Sequence, residues 1–200
     1  MAYKFRLPHL VPIMMVATVV NVAGVMGFKI LSERNLEPLP TFGAVKPFSL
    51  VSDSGDPFGL SDLEGKIWVA DFIFTSCAGP CPLMSQRFAG LQRQFAGQAN
   101  FQLISFSVDP DTDTPEVLAE YGRALGADPR RWRFLTGEYE QIHALAAESF
   151  HLGSTANALH HSNYFTLVDG GGAIRGYFDS TDPQALEDLE AQARQLLKAL

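Results

Sequence analysis

The sequence predicts an α/β fold, a three-layer α/β/α sandwich preceded by one N-terminal transmembrane helix. Nearly continuous apolar runs at 67–74 and 101–108, rich in β-branched and aromatic residues, are typical of central strands covered on both faces. Each run is followed by a stretch with helical spacing, and this alternation indicates a sheet with helices on both sides. The uncharged segment 7–28 lies ahead of all these elements.

The uncharged segment is long enough to cross a bilayer. As a helix its 22 residues would extend roughly 33 Å, close to the thickness of a hydrocarbon core. Lys4 and Arg6 precede it, which favours a cytoplasmic N-terminus and places the following domain on the outer side of the inner membrane. A cleaved signal peptide is the alternative. We favour the anchor because the apolar run exceeds an ordinary signal sequence and no A-x-A site closes it.

Composition divides the chain into three parts. Residues 1–31 form the anchor or signal peptide, residues 32–46 are predicted to be a linker, and residues 47–200 are predicted to form one folded domain. Beyond residue 32 the chain carries 12 basic and 22 acidic residues, a net charge of −10. Nucleic acid is therefore excluded as a partner, since phosphate binding needs a basic face.

Turn and capping residues predict the other elements of the domain. A hairpin is expected at 48–60, and Thr114 with Pro115 is expected to start a helix after the second central strand. Further strands are predicted at 132–135, 164–168 and 173–178, and further helices after Pro82, at 138–148 and from Asp182 to the C-terminus. The glycines at 170–172 predict that the last two strands form a hairpin.

The two cysteines of the chain, Cys77 and Cys81, lie in the turn after the first central strand. Residues four apart at a helix start share a face, so the two sulfurs can converge. Unpaired N–H groups at a helix N-terminus favour thiolate over thiol, which predicts a low-pKa pair that binds metal or exchanges disulfides. A structural disulfide is the alternative, but so short a loop would contribute only roughly 2 kcal/mol of stability.

Three motifs of the chain are informative together: residues 74–82 (FTSCAGPCP), residues 107–116 (SVDPDTDTPE) and His161-Ser162 ahead of a strand. They resemble the Sco/SenC family, whose members are membrane-anchored copper proteins with a thioredoxin-like fold that assist assembly of the dinuclear copper centre of cytochrome c oxidase. The resemblance implies that Cys77, Cys81 and His161 are the copper ligands. It also implies that Asp109 is an acid beside the site.

The chain departs from the family pattern at two places. The family often has proline directly after the first cysteine, where this chain has Ala78 followed by Gly79-Pro80, a change that can shift the redox potential. The family often has an aspartate near the ligand histidine, whereas here His160 precedes His161. Adjacent side chains of an extended segment point to opposite sides, so His160 is the alternative ligand and His161 is favoured.

The predicted ligand set suits copper. Two thiolates prefer Cu(I), and an added imidazole makes a set that can also hold Cu(II). Zinc fits less well because structural zinc uses four ligands. Asp109 has an alternative role as a turn residue before Pro110, and Asp113 is expected to be a turn or capping residue.

The resemblance implies a metallochaperone rather than an enzyme. It would receive copper from other copper-donor proteins and deliver it by ligand exchange to the copper-accepting subunit of a cytochrome c oxidase. The alternative is a membrane-anchored thiol-disulfide oxidoreductase, in which Cys77 and Cys81 form a redox pair that reduces an oxidase subunit or another exported protein.

Two features disfavour the oxidoreductase. The cysteines are separated by three residues where the thioredoxin redox motif has two. Thioredoxin-like oxidoreductases resemble one another in a cis-proline facing the cysteines, and His161 stands at that place here. A peroxiredoxin is disfavoured because Ala70 and Phe74 occupy the positions of its proline and threonine.

Overall fold

The computed structural model of the protein describes residues 38–152 and 162–200. The strands are β1 (Gly43–Ala44), β2 (Ser49–Ser52), β3 (Pro57–Gly59), β4 (Ile67–Ile73), β5 (Phe101–Ser107), β6 (Trp132–Thr136), β7 (Tyr164–Val168) and β8 (Ala173–Asp179). The helices are α1 (Cys81–Gln94), α2 (Pro115–Ala124), α3 (Tyr139–Glu148) and α4 (Pro183–Lys198), with a 3₁₀ helix at Leu60–Leu63. The predicted anchor at 1–31 lies outside the described residues. Within the described ranges no helix has the length and apolar character needed to span a membrane.

The strands form one mixed sheet in the order β1-β8-β7-β4-β5-β6-β2-β3. In its middle, β4 runs parallel to β5 and antiparallel to β7, and β5 runs parallel to β6. Parallel neighbours need a crossover connection, which α1 and α2 provide. Every residue of β4 and β5 is buried, as the two continuous apolar runs predict.

Helices cover both faces of this sheet. Alternate residues of a strand point to opposite sides, so Ile67, Val69 and Ile73 pack with α1, α2 and α4. Trp68 and Phe72 point the other way and pack with α3. The described residues therefore form three layers, with the predicted sheet between two sets of helices.

Side-chain caps begin two of the helices. The Thr114 hydroxyl accepts a hydrogen bond from the Val117 N–H at 3.4 Å and caps α2. The Asp182 carboxylate accepts one from the Gln184 N–H at 2.9 Å and caps α4. Both caps satisfy N–H groups that have no partner inside the helix. The predicted start of α2 at Thr114 and Pro115 is thereby confirmed.

The folded domain starts earlier than the sequence predicts. Residues 43–44 form β1, an edge strand antiparallel to β8. Arg175 Nη1 donates hydrogen bonds to the Leu39 carbonyl and to Thr41 Oγ1, both at 2.9 Å. The C-terminal half of the predicted linker therefore belongs to the fold. A strand of two residues is too short to give the alternation by which strands are identified in a sequence.

Candidate metal and thiol site

Cys77 and Cys81 lie where the chain leaves β4 and enters α1. Cys77 is half-buried, whereas Cys81 is the first residue of α1 and only 3% exposed. The Cys77 N–H donates to the Phe74 carbonyl at 3.2 Å, and the Met84 N–H donates to the Pro80 carbonyl at 3.0 Å. The two cysteines are free, and Cys77 packs against the core cluster that contains Cys81. The structure therefore brings the two predicted sulfurs together.

The buried thiol is not the low-pKa group expected at a helix N-terminus. Burial raises the pKa of Cys81 to about 12, with a further contribution from the neighbouring Cys77, while the Phe74 backbone opposes the shift. Loss of hydration thus outweighs the favourable field of the helix start. The prediction of two low-pKa sulfurs is wrong for Cys81. A metal ion that binds there must displace its proton.

A buried carboxyl group lies on the same side of the sheet as these cysteines. Asp71 is in β4, points to the same face as Ile73, and is fully buried. Burial raises its pKa to about 7, and Ser105 on β5 opposes the shift. Desolvation dominates because neither carboxylate oxygen has a hydrogen bond of ordinary geometry among the described residues. Burial is the main cause that raises the pKa of Tyr121, as it is for Cys81, and the charge of Asp71 adds a smaller contribution at both groups.

Asp109 lies on the loop that follows β5. Because β4 and β5 are parallel, this loop leaves the sheet at the same edge as the cysteine turn. The Asp109 carbonyl accepts hydrogen bonds from the N–H groups of Thr112 at 3.1 Å and Asp113 at 2.9 Å. Its own N–H donates to Ser107 Oγ at 3.2 Å. The backbone hydrogen bonds of Asp109 therefore stabilise the turn. The role of its side chain as an acid beside the site is still a prediction.

Asp113 differs from the turn residue expected from the sequence, because its side chain is fully buried. Its carboxylate accepts hydrogen bonds from the Thr75 N–H at 3.1 Å, from Thr75 Oγ1 at 2.5 Å and from Ser107 Oγ at 2.6 Å. Thr75 precedes Cys77 by two residues. Asp113 thus joins the cysteine turn to the loop after β5.

The third predicted ligand, His161, lies outside the described residues, as does His160. The strand that follows, β7, begins at Tyr164 and runs antiparallel to β4. The start of β7 and the end of β4 therefore lie at the same edge of the sheet, the edge of the cysteine turn. Within 38–152 and 162–200, no three His, Cys, Asp or Glu side chains form a group that could hold a metal ion. Cys77 and Cys81 are the predicted ligands that the described part of the chain contributes.

Comparison with known proteins identifies relatives over most of the chain. The family model described as SCO1/SenC matches residues 38–197. The SCO1 protein homolog of Bacillus subtilis is 31% identical over 140 residues, which cover 66% of this chain and 72% of that protein. A protein of Stutzerimonas stutzeri whose name describes it as copper-binding is 28% identical over 176 residues, 84% of each chain.

Solved structures share the fold. The structure of BsSco superposes on this chain with a TM-score of 0.73. BsSco is described as a member of the Sco family of cytochrome c oxidase assembly proteins, and a disulfide switch is described in it. It is 27% identical in sequence, and the match covers 82% of this chain and all of that one. The predicted thioredoxin-like α/β fold is thereby confirmed.

Proposed function

Because this chain belongs to the SCO1/SenC family, we propose that it is a copper-binding metallochaperone that assists assembly of the dinuclear copper centre of a respiratory cytochrome c oxidase. The observation that carries the proposal is that two free cysteines lie side by side at the end of β4, packed at the same core cluster. Two relatives support it, since BsSco belongs to a family of oxidase assembly proteins and the Stutzerimonas stutzeri protein is named for copper binding.

Cys77, Cys81 and His161 are the proposed copper ligands. Two sulfurs suit Cu(I), and an imidazole extends the set to Cu(II). The antiparallel pairing of β7 with β4 supports His161, because the chain enters β7 at the edge of the sheet that carries the cysteines. Transfer would proceed by ligand exchange, with thiols of the acceptor replacing these ligands one at a time. The more exposed Cys77 would be exchanged first.

The remaining parts of the proposal concern location and partners. Residues 1–31 would hold the domain at the inner membrane, on its outer side, because an uncharged stretch there follows two basic residues. Other copper-donor proteins would load the site, and the copper-accepting subunit of the oxidase would receive the ion.

An anaerobic titration with Cu(I) and then Cu(II) tests the copper proposal. We expect one copper ion per chain, and we expect Cys77→Ser, Cys81→Ser and His161→Ala each to weaken binding roughly a hundredfold, since each removes one of few ligands. His143→Ala is the matched control, because His143 lies on α3 at the other face of the sheet. A wild-type protein that binds no copper would refute the function. Unchanged affinity in His161→Ala would refute that ligand.

A thiol-disulfide oxidoreductase is the second candidate. It is favoured by the free thiol pair and by the disulfide switch described for BsSco. An insulin reduction assay, with dithiothreitol as the source of electrons, measures this activity. Rapid turnover that is lost in Cys77→Ser, in a protein without copper affinity, would support the oxidoreductase over the chaperone.

A further inference from the structure

One buried carboxylate connects the cysteine turn with the neighbouring loop. Asp113 accepts hydrogen bonds from the backbone and the hydroxyl group of Thr75 and from the hydroxyl group of Ser107. Ser107 Oγ also accepts the N–H of Asp109. A single side chain thus contacts the residue two positions before Cys77 and, through one hydroxyl, the loop on which Asp109 lies.

These hydrogen bonds hold a segment outside the helices and strands, and they add to the packing of Phe74 and Cys77 against the core. Residues 74–80 have no regular secondary structure, and positions 76, 78 and 79 are exposed. The helix that follows, α1, begins without a side-chain cap. Hydrogen bonds to a buried carboxylate are shorter and stronger than those between neutral groups, because no water competes for the donors. Asp113 is therefore a strong restraint on where the turn lies.

We propose that Asp113 is a positioning residue for Cys77. By fixing Thr75 it holds the Cys77 thiol against that of Cys81, which α1 keeps in the core. Two groups react or chelate together efficiently only while their relative position is fixed, so a looser turn lowers the effective concentration of one sulfur at the other. The inference rests on the proposed function only in that both use this sulfur pair.

A metal-free equilibrium tests this role. In a glutathione buffer, a disulfide bond forms between Cys77 and Cys81, and their two protons and two electrons pass to glutathione disulfide, which becomes two glutathione thiols. The equilibrium constant is measured well below the melting temperature of each variant. In Asp113→Asn an amide nitrogen replaces one carboxylate oxygen. This nitrogen cannot accept a hydrogen bond from the Thr75 or Ser107 donors. We expect the equilibrium constant for disulfide formation to fall roughly tenfold.

Asp169→Asn is the matched control. The Asp169 carboxylate also accepts three hydrogen bonds, from the N–H of Gly171 at 2.9 Å, the N–H of Ala173 at 3.0 Å and Nε of Arg175 at 2.6 Å. It lies in the turn between β7 and β8, next to the start of β4 and so at the other end of the sheet. We expect Asp169→Asn to have a lower melting temperature than wild type. Its equilibrium constant for disulfide formation should stay within about twofold of wild type, since Asp169 is distant from the cysteines.

A second pair of variants keeps the test decisive if Asp113→Asn fails to fold. Thr75→Val removes one donor at nearly constant volume and is expected to lower the equilibrium constant severalfold, whereas Thr75→Ser keeps the hydroxyl group and is expected to match wild type. If Thr75→Val and any folded Asp113→Asn protein keep the constant of Asp169→Asn, the positioning role is refuted. If the wild-type protein binds no copper but Asp113→Asn or Thr75→Val still lowers the equilibrium constant for disulfide formation, the positioning role of Asp113 stands and only the copper proposal fails.

Discussion

Asp71 makes the stability of the domain depend on pH. Its pKa is about 7 in the folded protein against an ordinary value of 3.8, and burial is the cause. Below about pH 4 the carboxyl group is protonated in both states. Between about pH 4 and pH 7 the unfolded chain releases this proton while the folded chain keeps it, so the free energy of unfolding falls as the pH rises. Above that range the contribution is constant.

We predict that Asp71→Asn removes this dependence. The amide has the same size and never ionises, so the stability of the variant relative to wild type should increase between pH 4 and pH 7.5, by up to roughly 4 kcal/mol. Urea unfolding at several pH values measures the difference. Asp111→Asn, at an exposed position, is the control and should show no such trend. If the difference in the free energy of unfolding between Asp71→Asn and wild type is the same at pH 4 and at pH 7.5, Asp71 is not the source of the pH dependence.

The same residue shows what sequence analysis overlooked. Asp71 is the one charged residue of β4, whose sequence is IWVADFI, and a lone acid in a buried strand is a recognisable sign of a special role. Asp113 offered no such sign. It stands in a run with two other aspartates, and what sets it apart is a contact with Thr75, 38 positions earlier in the chain. Local sequence carries no information about that contact.

At the scale of elements, prediction succeeded where the pattern is local. The sequence predicts the bounds of β4 and β5 to within one residue because their apolar residues are contiguous. It also predicts the start of α2, because Thr114 and Pro115 are typical of the first positions of a helix. The two-residue strand β1 was missed for the opposite reason, since its place depends on pairing with β8. Cys77 and Cys81 meet as predicted, while His161 as a ligand is still a prediction.

Helix packing gives a prediction of its own. A Cβ atom at Gly122 in α2 would lie 2.7 Å from Cε2 of the buried Phe134 ring, whereas at Gly90 in α1 the nearest atom is Nη2 of Arg93 at 4.0 Å. Alanine favours a helix over glycine by about 0.5–1 kcal/mol at either position. We predict that Gly90→Ala raises the free energy of unfolding and that Gly122→Ala lowers it, by about 1–3 kcal/mol, because of overpacking. Urea denaturation measures both, and equal effects would show that the Phe134 ring moves aside.

At the scale of the whole molecule, the fold begins before the predicted domain start at Pro47, because Gly43–Ala44 form a strand at one edge of the sheet. We predict that a chain beginning at Leu39 keeps the melting temperature of the domain. A chain beginning at Pro47 should melt several degrees lower, because it loses β1 and the two hydrogen bonds that Arg175 donates to Leu39 and Thr41. Thermal melting followed by circular dichroism compares the two chains. Equal melting temperatures would place residues 39–46 outside the stable fold.

The sheet order brings three connections to one edge. The cysteine turn follows β4, the loop of Asp109 and Asp113 follows β5, and the chain enters β7 from the same side. These segments are far apart along the chain, and β4 lies between the two strands that bring the others. The site is thus a product of the central part of the sheet as a whole, which is why no single motif specifies it.

The hydrogen bonds between Thr75 and Asp113 have a consequence for the order of events during synthesis. A chain made from its N-terminus exposes Cys77 and Cys81 before Asp113 has emerged, and long-range contacts form after local ones. Until β5 and its loop are in place, the turn lacks its anchor, and either thiol is open to oxidants or to foreign cysteines. The two thiols of the nascent chain are therefore exposed to oxidation until the cysteine turn is in contact with the loop after β5.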